Sequence, residues 1–193
     1  MTQEPNRWLR ERSVSGDAYD STYDRRAAAG ENVHGEADFV EGLGGHSVLD
    51  AGCGTGRVGR ELARRGWDVV GVDIDPEMLA TARSKAPEVP WHVADLATVD
   101  LGRTFDIVMM AGNVMIFLAP GSEGDVLTNM ARHLAPGGFV IAGFQLMPGR
   151  LDLERYDALA VGAGLTLHAR FATWDREGWV EGGGYAVSVH RRV

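Results

Sequence analysis

The stretch Ser47-Val-Leu-Asp-Ala-Gly-Cys-Gly-Thr-Gly-Arg-Val-Gly59 decides the fold. A short apolar run enters three alternating glycines, and Arg57 to Arg65 then takes helical spacing. The order is strand, tight loop, helix. Asp68-Val-Val-Gly-Val-Asp-Ile74 reads as a second buried strand, and Asp75-Pro76 opens a helix to about Ala86, because proline suits the first helical position. Strands at Trp91 to Ala94, Phe105 to Met110 and Phe139 to Phe144, with a helix near Gly124 to Leu134, continue the rhythm. Strands alternating with helices imply an α/β fold with a parallel sheet covered on both faces.

On either side of this block the rhythm changes. After a helix at Leu153 to Ala163, the runs Leu165 to Thr173 and Tyr185 to His190 have no helix between them and are expected to pair as an antiparallel hairpin. The first forty-five residues carry no strand pattern; Ala18 to Ala29 and Gly35 to Leu43 read as two short helices of a cap over the sheet. At 193 residues, one domain is expected, with 1–45 as the helical cap and 46–193 as sheet and hairpin.

The glycines let the chain turn sharply and approach a ligand, and Asp73, at the end of the next strand, can accept hydrogen bonds from ribose hydroxyls. Gly54-Thr-Gly56-Arg-Val-Gly59 also satisfies the dinucleotide fingerprint, so a nicotinamide-dependent dehydrogenase is an alternative. Against it, Asp50 precedes the turn, where it would repel a pyrophosphate and welcome a cationic ligand such as an ammonium or sulfonium.

With Val48-Leu49-Asp50-Ala51-Gly52-Cys53-Gly54-Thr55-Gly56 in place, the chain resembles the class I S-adenosylmethionine-dependent methyltransferases from about Ser47 to Val193, most closely through Ile74. The resemblance implies a Rossmann-like, doubly wound, seven-stranded sheet, mostly parallel, with one antiparallel strand in the terminal hairpin. It implies S-adenosylmethionine as cofactor, with Asp50, Gly52, Gly54 and Gly56 beside its methionine and ribose parts and Asp73 on the ribose hydroxyls. Ile74 and Leu96 would cover the adenine and Asp95 would read its amino group. The turn at Asn113 would reach the methionine and the substrate mouth, and Leu134-Ala-Pro-Gly-Gly-Phe139 resembles the segment before strand five.

The acceptor side has no comparable signature. The segment Ala111-Gly-Asn-Val-Met115 lacks the prolines and aromatic of the motif used on exocyclic base amines, and Cys53 sits inside the glycine loop, away from any role as a cytosine nucleophile. Candidates are Tyr19, Tyr23, His34, Asn113, Gln145 and the loop Trp174 to Trp179, with His34 as the base and Tyr19, Tyr23 and Trp174 as walls. His168 and His190 fall on hairpin strands as surface or packing residues, His46 lies at the wrong end of the sheet, and Asp106 reads as a solvated strand start.

Lys plus Arg total 19 and Asp plus Glu 27, a net charge of 19 − 27 = −8, with no basic run longer than a pair. A nucleic-acid partner is therefore disfavoured and a small-molecule acceptor expected. A single cysteine fits a reducing, cytoplasmic setting; Met1 to Arg12 has no apolar run behind it, and no window is apolar enough for a membrane span. The acceptor side being so faintly marked, a non-catalytic cofactor-binding sensor or assembly subunit is a further alternative. The oligomeric state is left open.

Overall fold

The computed structural model describes residues 6–12 and 16–193; the side chains of residues 16–19, 22 and 24 lie outside the described residues. Three helices come first: α1 (Arg7–Glu11), α2 (Gly16–Ala28) and α3 (Gly35–Glu41). Then follow β1 (Ser47–Ala51), α4 (Arg57–Arg64), β2 (Asp68–Asp73), α5 (Pro76–Lys85), β3 (Trp91–Val93) and β4 (Phe105–Met110). The remainder is α6 (Val114–Phe117), α7 (Glu123–Arg132), β5 (Leu134–Gln145), α8 (Leu153–Gly162), β6 (Leu165–Phe171) and β7 (Tyr185–Arg192).

The seven strands form one sheet in the order β3-β2-β1-β4-β5-β7-β6. Strands β1 to β5 pair in parallel, and β7 runs antiparallel to both β5 and β6. This is the doubly wound sheet with one reversed strand in the hairpin that the resemblance implied. The period-2 alternation of a strand builds two cores. Leu49, Val70, Val108, Met110 and Val140 face a layer containing Val126, Met130, Tyr156 and Ala160, while Val48, Val69, Ile107, Met109 and Ile141 face one containing Phe39, Val40, Leu62 and Leu79.

Local chemistry sets the helix starts. Asp75 accepts hydrogen bonds from the N–H of Glu77 (3.0 Å) and Met78 (3.5 Å) ahead of Pro76, so α5 begins as the sequence indicated. Other boundaries moved. Strand β5 starts at Leu134 rather than Phe139, because the chain keeps pairing through Pro136-Gly137-Gly138 across a register shift opposite Phe105 and Ile107. Helix α3 stops at Glu41, not Leu43, where Gly42 follows. Two short helices, α1 and α6, were not anticipated; neither is long enough to show a periodicity. Asp106 is not merely a solvated strand start: its carboxylate accepts from the N–H of His46 (2.8 Å) and Ser47 (3.0 Å) and from the Ser47 hydroxyl (2.9 Å), clipping β4 to the start of β1.

Candidate cofactor and acceptor site

A cavity opens where the carboxyl ends of β1, β2 and β4 meet, the position at which open α/β sheets bind ligands. Its floor is the glycine loop. Gly52 and Cys53 donate their N–H groups to the Val72 carbonyl, at 2.7 and 3.1 Å, which folds the loop back over β2. Gly52 has φ +78°, and a Cβ there would stand 2.5 Å from the Val114 side chain. Gly54, with φ +54°, has nothing within 4 Å of where a Cβ would be and lines the cavity. Gly56 departs from the expected role: it sits at the N-cap of α4 with φ +72°, where a Cβ would stand 2.6 Å from the Trp91 ring, and it does not line the cavity. Its glycine is required by helix entry and packing, and Cys53 and Thr55 supply wall beside it.

The acids differ in setting. Asp73 is buried, with one carboxylate oxygen accepting from the Gly54 N–H (2.7 Å) and the other from the Asp75 N–H (2.8 Å). It therefore fixes the loop as well as facing the cavity, and burial pushes its pKa up. Asp50 is buried beneath the loop, accepts from the Gly59 N–H at 3.0 Å, and is pushed up to about 7, chiefly by burial. Asp95 is exposed on the rim and accepts from the Ala97 N–H at 2.9 Å, while Leu96 beside it is buried and, with Ile74, gives the cavity apolar wall. The Cys53 thiol is pushed well above its ordinary pKa, first by burial and then by Asp50 and Asp73, so it lines the cavity as a neutral, inert group.

Several expected residues fall elsewhere. Asn113 does not line the cavity; with φ +70° it turns the chain after β4, its side chain accepting from the Gln145 N–H (2.8 Å) and its N–H donating to the Gly143 carbonyl (3.1 Å). Its neighbours Gly112 and Val114 form the wall instead. His34 also lies off the cavity: its N–H is held by Asn32 at 2.9 Å, and it stands at the start of α3 within electrostatic reach of Asp38 and Glu61. Its ring Nδ1 is buried and makes no hydrogen bond to the described residues. Tyr23 lies under the Arg57 guanidinium at 4.0 Å, and Trp174 donates to the Tyr185 hydroxyl at 3.1 Å while meeting Phe39 edge-on at 5.4 Å. Neither Tyr23 nor Trp174 lines the cofactor cavity. The Tyr19 side chain lies outside the described residues. His46 stands at the start of β1 and His168 is exposed against Phe139, as expected, while His190 is buried beside Tyr156.

The structure adds residues the sequence did not mark. Asn6 and Trp8 of the N-terminal segment line the cavity, and Trp8 donates to Asp75 at 2.9 Å while meeting Phe117 edge-on at 5.7 Å. Arg57, directly after the glycine loop, is the one cation among the described lining residues and is paired with Glu36 of α3 at 2.5 Å. The position of Arg57 beside the loop was a usable signal; the lone Trp8 in a polar segment was not.

A buried acid at a strand end, a glycine floor open to the cavity, and apolar walls at a switch point fit a nucleoside-cofactor site on a doubly wound sheet. The charges match a ligand carrying an ammonium, a sulfonium and a carboxylate: Asp50, Asp73 and Asp95 against Arg57. Those acids do not suit a pyrophosphate. The comparisons agree. A methyltransferase-domain family model matches residues 48–138. A TehB-like S-adenosylmethionine-dependent methyltransferase from Corynebacterium glutamicum superposes with a TM-score of 0.85 at 35% identity, over 92% of this chain and 98% of that one. An amino pentose methyltransferase from Micromonospora echinaspora, solved with S-adenosylmethionine bound, gives a TM-score of 0.74 at 25% identity over 95% and 100% of the two chains. The magnesium-protoporphyrin O-methyltransferase of Rhodobacter capsulatus is 43% identical over 96 residues, 47% of this chain and 42% of that protein. The chain thus belongs to the S-adenosylmethionine-dependent methyltransferase family. It spans about half or less of the length of the curated relatives it matches first.

Proposed function

We propose that the chain transfers the methyl group of S-adenosylmethionine to a small-molecule acceptor, residues 1–193 acting as one methyltransferase domain with 1–45 as its cap. The observation that carries this reading is the cavity itself, in which Asp73, the glycine loop, Arg57 and Gly112 line one space at the carboxyl ends of the strands. In this reading Asp73 holds the ribose hydroxyls, Ile74 and Leu96 flank the adenine, and Asp95 meets its amino group at the rim. Gly52 and Gly54 let the backbone approach the methionine part, and Asp50 and Arg57 answer its ammonium and carboxylate.

The cofactor supplies an electrophilic methyl on sulfur. What the chain contributes is binding, alignment of the acceptor in line with the departing sulfur, and exclusion of water. Trp8 closes the cavity from above. On the acceptor side Tyr23, Trp174 and Tyr185 offer an aromatic wall, and the Tyr185 hydroxyl, pushed up to about 12 mainly by burial, keeps its proton at neutral pH and serves as a donor, not a base. No histidine lines the cavity among the described residues, and Glu36 is engaged by Arg57. This favours an acceptor that arrives with its lone pair available.

Relatives that act on magnesium protoporphyrin and on an amino pentose support a small acceptor, as does the net charge of −8, which disfavours nucleic acid. No described helix is long and apolar enough to cross a membrane, and the single cysteine fits a cytoplasmic setting. The test combines S-adenosylhomocysteine calorimetry with labelled S-adenosylmethionine added to fractionated cell extract. Label in the small-molecule fraction is expected. Label confined to RNA or protein would overturn the acceptor class, and absence of binding would overturn the cofactor.

A further inference from the structure

The cap does not rest on the sheet through apolar contact alone. Asp20 of α2 is 3% exposed, and its carboxylate gathers three donors from three segments. One oxygen accepts from the Thr55 hydroxyl in the glycine loop; the other accepts from Arg60 of α4 (3.0 Å) and from Lys85 at the end of α5. Thr55 is itself buried and lines the cavity. Arg60 also reaches the Gly56 carbonyl at 3.3 Å, so two of the groups holding Asp20 belong to or grip the loop.

One turn further along α2, Tyr23 lies on the same helix face and carries the Arg57 guanidinium over its ring at 4.0 Å. Arg57 lines the cavity and holds Glu36 of α3 through both carboxylate oxygens, at 3.2 and 2.5 Å. The α2 helix therefore meets the glycine loop and the first turn of α4 at two successive points. A buried carboxylate with two cations is costly to expose and unforgiving of displacement, because moving it strands charges away from water. The loop and the cap's acceptor face are in this way held as one body.

We infer that Asp20 is a positioning residue: acting through Thr55, it sets the glycine loop for the cofactor and transmits cofactor occupancy to α2, which carries Tyr23 of the acceptor wall. This rests on the methyltransferase reading, and it goes beyond it in assigning the coupling to one side chain that does not itself line the cavity.

The experiment uses the full chain, with S-adenosylhomocysteine affinity by calorimetry and amide hydrogen exchange along α2 with and without that ligand. Asp20→Asn and Thr55→Val are each expected to weaken binding about tenfold, the effect of losing one charge-assisted hydrogen bond. The double variant should lose little more than either single one, because both break the same link. Thr55→Ser, which keeps the hydroxyl, should restore the wild-type affinity. Ligand should slow exchange in α2 of the wild type and of Thr55→Ser, and leave it unchanged in Asp20→Asn. Variants that melt earlier yet bind with wild-type affinity would show a purely structural clamp and overturn the inference. Additive losses in the double variant would overturn it as well. Should the wild type fail to bind S-adenosylhomocysteine, the methyltransferase reading itself falls, an outcome distinct from tight wild-type binding with unaffected variants.

Discussion

The cofactor half and the acceptor half of this site are written in different kinds of sequence. In the cofactor half, residue identity is forced by backbone geometry over short spans: Gly52 and Gly54 hold positive φ, and Asp73 ties its own strand end to the Gly54 N–H nineteen residues back. The proposed acceptor half draws Tyr23, Glu36, Arg57, Trp174 and Tyr185 from segments that meet only in the fold. A local constraint leaves a motif. A wall made by distant side chains demands only that something of the right size and polarity be present, and many residues satisfy that.

The largest effect should come from the loop backbone. Gly52→Ala must adopt a strained φ of +78° and drive a methyl to within 2.5 Å of Val114, and the two penalties together should weaken S-adenosylhomocysteine binding by about 100-fold or more. Gly54→Ala carries the strain without the clash, so its loss should be nearer tenfold. Calorimetry on both variants distinguishes them; equal losses would break the argument that close approach, and not φ alone, fixes the first glycine.

Next comes the contrast between acids of the same half. Asp73→Ala removes a buried carboxylate that bonds two backbone N–H groups, and should cost about 1.5–3 kcal/mol of ligand binding. Asp95→Ala, at an exposed rim position, should cost no more than about 1 kcal/mol. Similar losses would mean that burial is not what separates them.

These same contrasts show why the sequence was legible in part. Strand, glycine loop, helix and terminal acid follow from periodicity and turn chemistry, and with them the positions of Asp50 and Asp73; the seven-stranded sheet and Leu96 came from the resemblance, and the strand order is set by long-range pairing that no local pattern carries. Gly56 obeyed the motif for a different reason, packing against Trp91, which spacing alone cannot reveal. Asn113 was a reasonable choice by position, yet its amide oxygen is spent on the Gln145 N–H across to β5, a long-range contact with no local signal. His34 was chosen because its loop is polar, and the bonds that place that loop, from the His34 N–H to Asn32 and from Arg57 to the Val33 carbonyl, leave its ring off the cofactor cavity. Asp20 carries no local signal, because its partners Arg60 and Lys85 lie 40 and 65 residues away on α4 and α5.

A smaller effect should come from α1, the part of the cofactor half that no motif marks. Trp8→Ala removes the hydrogen bond to Asp75 and the edge contact with Phe117, and should weaken S-adenosylhomocysteine about five- to tenfold. Stopped-flow measurement should place that loss in faster release, since α1 covers a site already formed beneath it. A loss confined to the association rate would instead make α1 part of the floor's folding and extend the cofactor half to the N-terminus.

The smallest effect is the dependence on pH, and its sign follows from Asp50. Burial raises this carboxyl to about 7, so in the folded chain it holds its proton well above the ordinary 3.8. Between those values the unfolded state binds fewer protons than the folded one, and stability falls as pH rises across that window. Ligand binding works in the opposite sense. A cation entering beside Asp50 favours the carboxylate and draws the proton off, so binding near pH 6.5 should release protons and affinity should rise about three- to tenfold from pH 6 to pH 8 before levelling. Calorimetry in two buffers of different ionisation enthalpy measures the release directly, and Asp50→Asn should reduce it sharply. An unchanged release in that variant would place the cation away from Asp50, and would reduce the acid before the glycine loop to a clasp for the Gly59 N–H.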